Sequence, residues 1–279
     1  MRTWPRPAEG VEGVPAASPL RVLVTRPRAQ AAPLVAALRA AGIDAAALPL
    51  IDIAAPADPG AVQRAWQELP ACALAMFVSA NAVHYFMRLR PAQAAWPAHL
   101  LAGSTGPGTS AALRAAGVTP QLLVEPAGEV YDSEALWQQL RTRDWAGQRV
   151  LVVRGEGGRD WFAAQMGAAG ATVQFVAAYE RRPPALDAAA RALLDTALAQ
   201  PQRHCWLISS SQAAAHLAQL APAADWSGAA ALAPHARIVA ALQALGFGRV
   251  RLVAAQAAAV AAALHTVPSE GPPIQSHPS

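Results

Sequence analysis

Phe77-Val78-Ser79-Ala80-Asn81-Ala82 and, about 130 residues later, Leu207-Ile208-Ser209-Ser210-Ser211-Gln212 are two versions of one phrase. In each, an apolar run of strand length meets hydroxyl residues able to cap the free amides of a helix start. Two further pairs keep the same offset. Val24-Thr25-Arg26-Pro27, followed by an Ala/Leu helix and Gly42, answers to Val153-Arg154-Gly155 with its own helix and Gly170; Gly106-Pro107-Gly108-Thr109 answers to Ala233-Pro234-His235-Ala236. One α/β layout has been used twice, which predicts two similar domains.

Outward from these pairs, short apolar runs at 21–25, 45–53, 74–79, 100–102, 121–124, 149–153, 172–178, 205–209, 229–232 and 249–253 read as strands. Helical spacing fills the gaps; 31–41 carries Leu34 and Leu38 on one face and stops at Gly42. Alternating strand and helix implies βα units and mainly parallel sheets. The expected caps are Ser79 or Asn81, Thr109 or Ser110, Ser133, and Ser210 or Ser211.

Residues 1–19 and 267–279 are rich in Pro, Gly and Ser without periodicity and read as disordered tails. Cutting the chain at its own period would put 20–148 in one domain. Two strand-plus-proline segments, Leu48-Pro49-Leu50-Ile51-Asp52-Ile53 and Val176-Ala177-Ala178-Tyr179-Glu180-Arg181-Arg182-Pro183, occupy equivalent places in the two copies. If the chain crosses between domains at both, 20–50 plus 181–266 form a discontinuous first domain and 51–180 a second, and this is the preferred division.

At 54% hydrophobic residues, the chain has side chain enough for two cores. The net charge of +4 would suit nucleic acid, but all 22 basic residues are Arg, scattered without a basic stripe, so no nucleic-acid partner is expected. The absence of Lys excludes a pyridoxal Schiff base and the P-loop lysine. Cys72 and Cys205 sit in apolar runs and read as buried thiols, and no zinc spacing exists. Arg2, Arg6, Glu9 and Glu12 interrupt any secretion signal, and the Ala-rich stretch 254–264, broken by Gln256, is too short for a bilayer. The expectation is a cytoplasmic protein with no membrane contact.

The loops at Ser79, Gly106-Pro107-Gly108-Thr109 and Arg154-Gly155-Glu156-Gly157-Gly158-Arg159 fall where strands run into helices, the carboxyl edge at which open α/β sheets bind ligands. Free amides at helix starts suit anions. Each loop alone also reads as an ordinary cap or turn; their duplication favours a polyanionic ligand. The glycine spacing of 154–159 fails the dinucleotide fingerprint, and Ser79 is not in a nucleophile elbow. His84, His99, His204 and His216 read as surface or helix-face residues, while His235 stands at a helix start facing the ligand side. Tyr179 ends a strand at the suspected crossing, beside Glu180, Arg181 and Arg182. Its phenol could give a proton to a leaving hydroxyl, or its ring could be a rim residue with a buried body.

In order and spacing these motifs resemble the uroporphyrinogen-III synthases over residues 21 to about 265. The resemblance lies in Val22-Leu-Val-Thr-Arg-Pro27, Pro49-Leu-Ile-Asp-Ile53, Phe77-Val-Ser-Ala-Asn-Ala-Val83, Gly106-Pro-Gly-Thr109, Asp132-Ser-Glu-Ala-Leu136, Arg154-Gly-Glu-Gly-Gly-Arg159, Tyr179 with its Arg pair, Ile208-Ser-Ser210 and Pro234-His-Ala-Arg237. It implies two flavodoxin-like α/β domains with parallel sheets, joined by a two-stranded β ladder, with the site in the cleft between them. It also implies an enzyme without metal or organic cofactor, acting on the polycarboxylate hydroxymethylbilane; a monomer is expected. Loss of the terminal hydroxyl would give an azafulvene; attack by the substituted carbon of the last pyrrole, through a spiro intermediate, would close the ring with that pyrrole reversed. Tyr179 matches the family's candidate proton donor, and Ser79, Thr109 and Ser209 match substrate contacts. The same loops extend the expected binding set to Thr25, Arg26, Gly106, Gly108, Arg154, Gly155, Ser210 and His235. The chain departs from the family at Ala80-Asn81 and at Ala233-Pro234-His235-Ala236, where many relatives carry a Gly-Pro-Thr type of turn. The rival reading is a non-catalytic two-domain α/β binding protein for a small anion.

Overall fold

The computed structural model describes residues 20–128 and 130–265; the expected tails, 1–19 and 267–279, lie outside the described residues. Strands form at β1 (Arg21–Val24), β2 (Ala45–Ala47), β3 (Asp52–Ala54), β4 (Leu74–Phe77), β5 (Leu101–Ser104), β6 (Leu123–Val124), β7 (Arg149–Gly155), β8 (Thr172–Arg182), β9 (His204–Leu207), β10 (Ala230–Ala233) and β11 (Arg249–Leu252). The helices between them are α1 (Arg28–Ala40), α2 (Pro59–Glu68), α3 (Ala80–Arg88), α4 (Pro107–Ala115), α5 (Ser133–Leu140), α6 (Trp161–Ala168), α7 (Ala188–Ala199), α8 (Ser211–Leu220), α9 (Ala236–Ala244) and α10 (Ala257–His265). No helix among the described residues is long and apolar enough to cross a membrane.

The described residues divide into two compact units, one made of 20–52 together with 183–265, the other of Ile53–Arg182. The first holds a sheet in the order β11-β10-β9-β1-β2. Its pairs β1 with β2, β1 with β9, β9 with β10 and β10 with β11 are all parallel. Numbered along the chain within that unit, this is the flavodoxin-like order 2-1-3-4-5. The six-stranded sheet runs β3-β8-β7-β4-β5-β6, with β4, β5, β6, β7 and β8 paired in parallel. If β7 is counted as first strand, its five parallel strands also read 2-1-3-4-5. The second copy of the layout is therefore circularly permuted, its first two strands arriving last in the chain. That permutation is why Val153-Arg154-Gly155 answers to Val24-Thr25-Arg26.

Burial on both faces dictates the sequence of these strands. In β7, Leu151 and Val153 pack into a core with Phe77, Phe86 and Trp66, while Val150 and Val152 pack on the other face with Leu136, Phe162 and Met166. A strand covered on both sides must be continuously apolar, and it is. In the other sheet Val22, Val24, Cys205 and Leu207 meet Leu34 and Leu38 of α1 and Val260 of α10.

The structure corrects the sequence reading in several places. The single strand expected over 45–53 is two, β2 and β3, in different sheets. Leu48 and Leu50, on either side of Pro49, donate to the carbonyls of Val24 and Thr25, so the missing N–H of Pro49 falls on the open edge of the sheet, where it is tolerated, and the chain leaves this sheet after Leu50. Helix α1 starts a turn before Ala31, directly after Pro27, whose restricted φ of −46° suits a helix entry. The cap of α5 is Asp132, not Ser133: the Asp132 carboxylate accepts from Ala135 N–H at 2.7 Å. Gly106 caps α4, with no side-chain bond from Thr109 or Ser110. His204 and His216, read as surface or helix-face residues, are both buried, His216 on the inner face of α8. One nitrogen of each ring has a backbone partner, His204 Nδ1 with Gln200 O at 3.0 Å and His216 Nδ1 with Leu50 O, distant in sequence, at 2.7 Å.

Candidate active site

In an open parallel sheet a crevice forms where neighbouring strands send their connections to opposite sides. In the Ile53–Arg182 unit that point lies between β7 and β4, which end at Gly155 and Phe77. Ser79 stands just beyond β4, extended, and caps α3 by accepting Ala82 N–H at 3.2 Å. The sheet itself supplies its partner. Pairing of β7 with β8 slips between Arg154 and Gly155, so that Arg154 opposes Ala177 but Gly155 opposes Tyr179. This β-bulge breaks the alternation of side chains and puts Ala178 and Tyr179 into the same core cluster. The Tyr179 ring, fully buried, stacks on Tyr85 at 6.3 Å between centroids.

The Tyr179 hydroxyl lies 3.3 Å from Ser79 Oγ, and Arg181 Nη2 donates to it at 2.9 Å. The Arg181 guanidinium carbon is 5.5 Å from the ring centroid. Gly155 forms the floor beneath the ring: a Cβ there would fall 2.8 Å from Tyr179 Cζ, 2.9 Å from Cε2 and 3.2 Å from the hydroxyl. Glycine is required at 155 by this close approach and not by backbone conformation.

Three hydroxyls absent from the expected set hold the neighbouring Gly106 loop. Ser104 Oγ donates to Gly106 O at 2.9 Å and accepts from Gly106 N–H at 3.2 Å and from Ser110 Oγ at 2.8 Å. Thr105 Oγ1 donates to Val78 O at 3.1 Å, tying this loop to the end of β4. Gly108 is exposed and open, whereas Thr109 is buried on the inner side of α4. Arg154 is folded over its own loop, 2.6 Å from Asp160 Oδ1 and stacked on Phe175 at 3.9 Å. Arg159 reaches Glu134 with two bonds, at 2.8 and 3.3 Å.

The corresponding switch point of the other unit lies between β1 and β9. Thr25, expected at the ligand, is buried, and its hydroxyl donates to Leu207 O at 2.8 Å, joining the ends of the two strands. Ser210, and not Ser211, caps α8 by accepting Gln212 N–H. Arg26, Gln30, Ser209, His235 and Gln256 line an open recess of about 630 Å³. Arg26 is half-buried there, its Nη2 3.4 Å from Ala255 O, and burial lowers its pKa below the ordinary arginine value. A guanidinium remains charged even so. His235 is the exposed residue before α9 and makes no side-chain cap. Ser209 and His235, far apart in sequence, thus share one recess with Arg26.

Tyr179, Ser79 and Gly155 come together in one unit, and Arg26, Ser209 and His235 in the other. Among the described residues no group of three or more His, Cys, Asp or Glu could hold a metal ion. The arrangement offers two chemical functions. One is a set of cationic and hydroxyl-bearing crevices suited to carboxylates. The other is a phenol held between a hydroxyl and a guanidinium.

Comparison with known proteins places the chain. The family model described as uroporphyrinogen-III synthase HemD matches residues 32–262. The fold is similar to that of a mutant uroporphyrinogen III synthase from the extremely thermophilic bacterium Thermus thermophilus, with a TM-score of 0.52, 16% identity, and coverage of 83% of this chain and 92% of that one. It is also similar to uroporphyrinogen-III synthetase from Helicobacter pylori, with a TM-score of 0.50, 12% identity, and coverage of 83% and 92%.

Proposed function

The chain belongs to the uroporphyrinogen-III synthase family, and from that premise we propose how its residues turn hydroxymethylbilane into uroporphyrinogen III. The reaction is a cyclising loss of water in tetrapyrrole biosynthesis. The linear substrate loses its terminal hydroxyl and closes with its last pyrrole reversed. Left alone, the same bilane closes without inversion, so the protein must impose a conformation that solution chemistry does not favour.

In our reading Tyr179 is the source of the proton that leaves with the hydroxyl. The observation that carries this is its hydroxyl, held 3.3 Å from Ser79 Oγ and 2.9 Å from Arg181 Nη2 at the carboxyl edge of the sheet. A guanidinium beside the oxygen stabilises the phenolate that proton transfer leaves behind. The substrate's carboxylates are bound by the crevice loops: Arg26, Ser209, Ser210 and His235 in one unit, and Ser79, Gly106, Gly108, Arg154 and Gly155 in the other, while Thr109, buried on α4, packs the loop from within. The 630 Å³ recess beside Arg26 supports this, being of ligand size and lined by donors. We further propose a monomer acting in the cytoplasm, a setting consistent with two buried free thiols, Cys72 and Cys205. The family match does not favour the non-catalytic receptor.

The test supplies hydroxymethylbilane, oxidises the product and separates the porphyrin isomers, with Tyr179→Phe alongside. Wild type is expected to give isomer III, and the variant to lose rate by about 10²-fold or more. An unchanged variant removes Tyr179 from the proposed role.

A further inference from the structure

A proton donor that is fully buried needs an intermediary. Tyr179 has no exposed surface, whereas Ser79, in hydroxyl contact with it, is half-buried at the mouth of the crevice. We propose that Ser79 is the group that hands the proton to the departing hydroxyl, as the outer end of a Tyr179–Ser79 relay whose inner end is held by Arg181. The inference rests on the reading of Tyr179 as proton source and adds the residue that touches substrate.

The bonds at the phenol oxygen leave its own hydrogen a path to Ser79. Arg181 has donors and no acceptor, so its 2.9 Å bond uses a lone pair of the phenol oxygen and leaves the phenol hydrogen free to point elsewhere. The neighbouring oxygen is Ser79 Oγ at 3.3 Å, a separation that tightens when a site fills. Hydroxyl hydrogens rotate, so this pair of oxygens serves either direction. In the resting arrangement Ser79 Oγ donates to the phenol oxygen; with both hydroxyls rotated, one Ser79 lone pair still accepts Ala82 N–H at 3.2 Å as the cap of α3 and the other takes the phenol hydrogen. Its own hydrogen is then directed outward.

In the step itself, the C–O bond of the bilane's terminal hydroxymethyl group breaks and both electrons leave on oxygen. The Ser79 proton joins that oxygen to make water, Ser79 is reprotonated by Tyr179, and the pyrrole nitrogen lone pair stabilises the carbon as an azafulvenium. The phenolate faces Arg181. When the closing macrocycle regains its aromatic pyrroles, the proton it sheds returns through the same two oxygens. The net change is one water lost and one carbon–carbon bond formed, with Tyr179 and Ser79 restored.

The experiment measures kcat and KM for isomer III formation in Ser79→Asn, Ser79→Thr, Tyr179→Phe, the Ser79→Asn/Tyr179→Phe double variant and Arg181→Gln. Asn keeps the helix cap but cannot pass a proton, and Thr keeps both functions. Ser79→Asn and Tyr179→Phe are expected to lower kcat by similar factors, about 10²–10⁴-fold, with KM within about threefold. The double variant is expected to be no worse than either single, because the two residues act as one path. Thr should restore activity to within about tenfold, and Arg181→Gln should lose about tenfold in kcat. Ser79→Gly, also tolerated at a cap, carries the same expectation if the Asn variant does not fold. A normal kcat in Ser79→Asn or Ser79→Gly with an impaired Tyr179→Phe overturns the relay and leaves Tyr179 as direct donor. Multiplying effects in the double variant overturn it too. A normal Tyr179→Phe overturns the underlying reading instead.

Discussion

Gly155→Ala puts a single methyl group against the ring of Tyr179, and the geometry fixes how far that ring must move. The added carbon would lie 2.8 Å from Cζ and 2.9 Å from Cε2. Carbon atoms pack at about 3.5–4.0 Å, so the contact is short by about 0.7–1.2 Å. The backbone of β7 cannot yield, since it is paired on one side with β4 and on the other with β8. The ring must therefore shift by about 1 Å inside a closed core, at a cost of about 1–3 kcal/mol. That displacement would carry the hydroxyl out of hydrogen-bond range of Ser79, now 3.3 Å away. Misplacement on this scale costs about 10²-fold in rate. Chemical denaturation reads the first effect and isomer III formation the second. Adding Tyr179→Leu to Gly155→Ala should recover stability, by vacating the space, without recovering activity. A Gly155→Ala protein with wild-type rate and wild-type denaturation midpoint would refute the argument that the bulge, the glycine and the ring form one device.

Three other expectations concern residues outside that contact. Thr25→Val removes a buried bond of 2.8 Å to Leu207 O and should lower stability by about 1–2 kcal/mol in urea denaturation. Arg26→Gln should raise KM by about tenfold with little change in kcat, the signature of an interaction made equally in ground and transition states. Burial pushes the Cys205 and Cys72 thiols up from their ordinary range. Neither should react with a thiol reagent at pH 8 until the protein is unfolded. Because the folded thiols resist ionising, the stability they contribute is whole below about pH 8.5 and falls as the pH rises above it, which denaturation at pH 8 and pH 10 compares.

The sequence made the repeated layout legible because it rests on period and burial: apolar runs covered on both faces, separated by helical spacing and punctuated by capping hydroxyls. The pairs Ser79 with Ser209 and Gly106 with Ala233 identified equivalent strand ends before any coordinates. The permutation of the second copy, too, was present in the offset that matched 24–27 to 153–155. What could not be read was anything that depends on register. The slip that aims Tyr179 at Ser79 comes from how β8 pairs with β7, and nothing in Ala177-Ala178-Tyr179 announces it. Ser104 and Ser110 brace the Gly106 loop across a strand-to-helix turn, a spacing that no periodicity flags. His204 and His216 read as surface or helix-face residues because imidazole is polar. His204 Nδ1 meets the carbonyl of Gln200, close by in the chain, whereas His216 Nδ1 meets that of Leu50, brought to it only by the tertiary structure. Pro49, by contrast, was a visible signal of an edge strand, since it has no N–H to give a second neighbour.

The most direct measurement holds hydroxymethylbilane at one concentration, titrates in the purified protein and follows the ratio of the two porphyrin isomers after oxidation. The account predicts that isomer I dominates without protein and that isomer III replaces it as protein is added, until the product is isomer III throughout. An isomer ratio that stays at the protein-free value over the whole titration, with the protein folded, would contradict it.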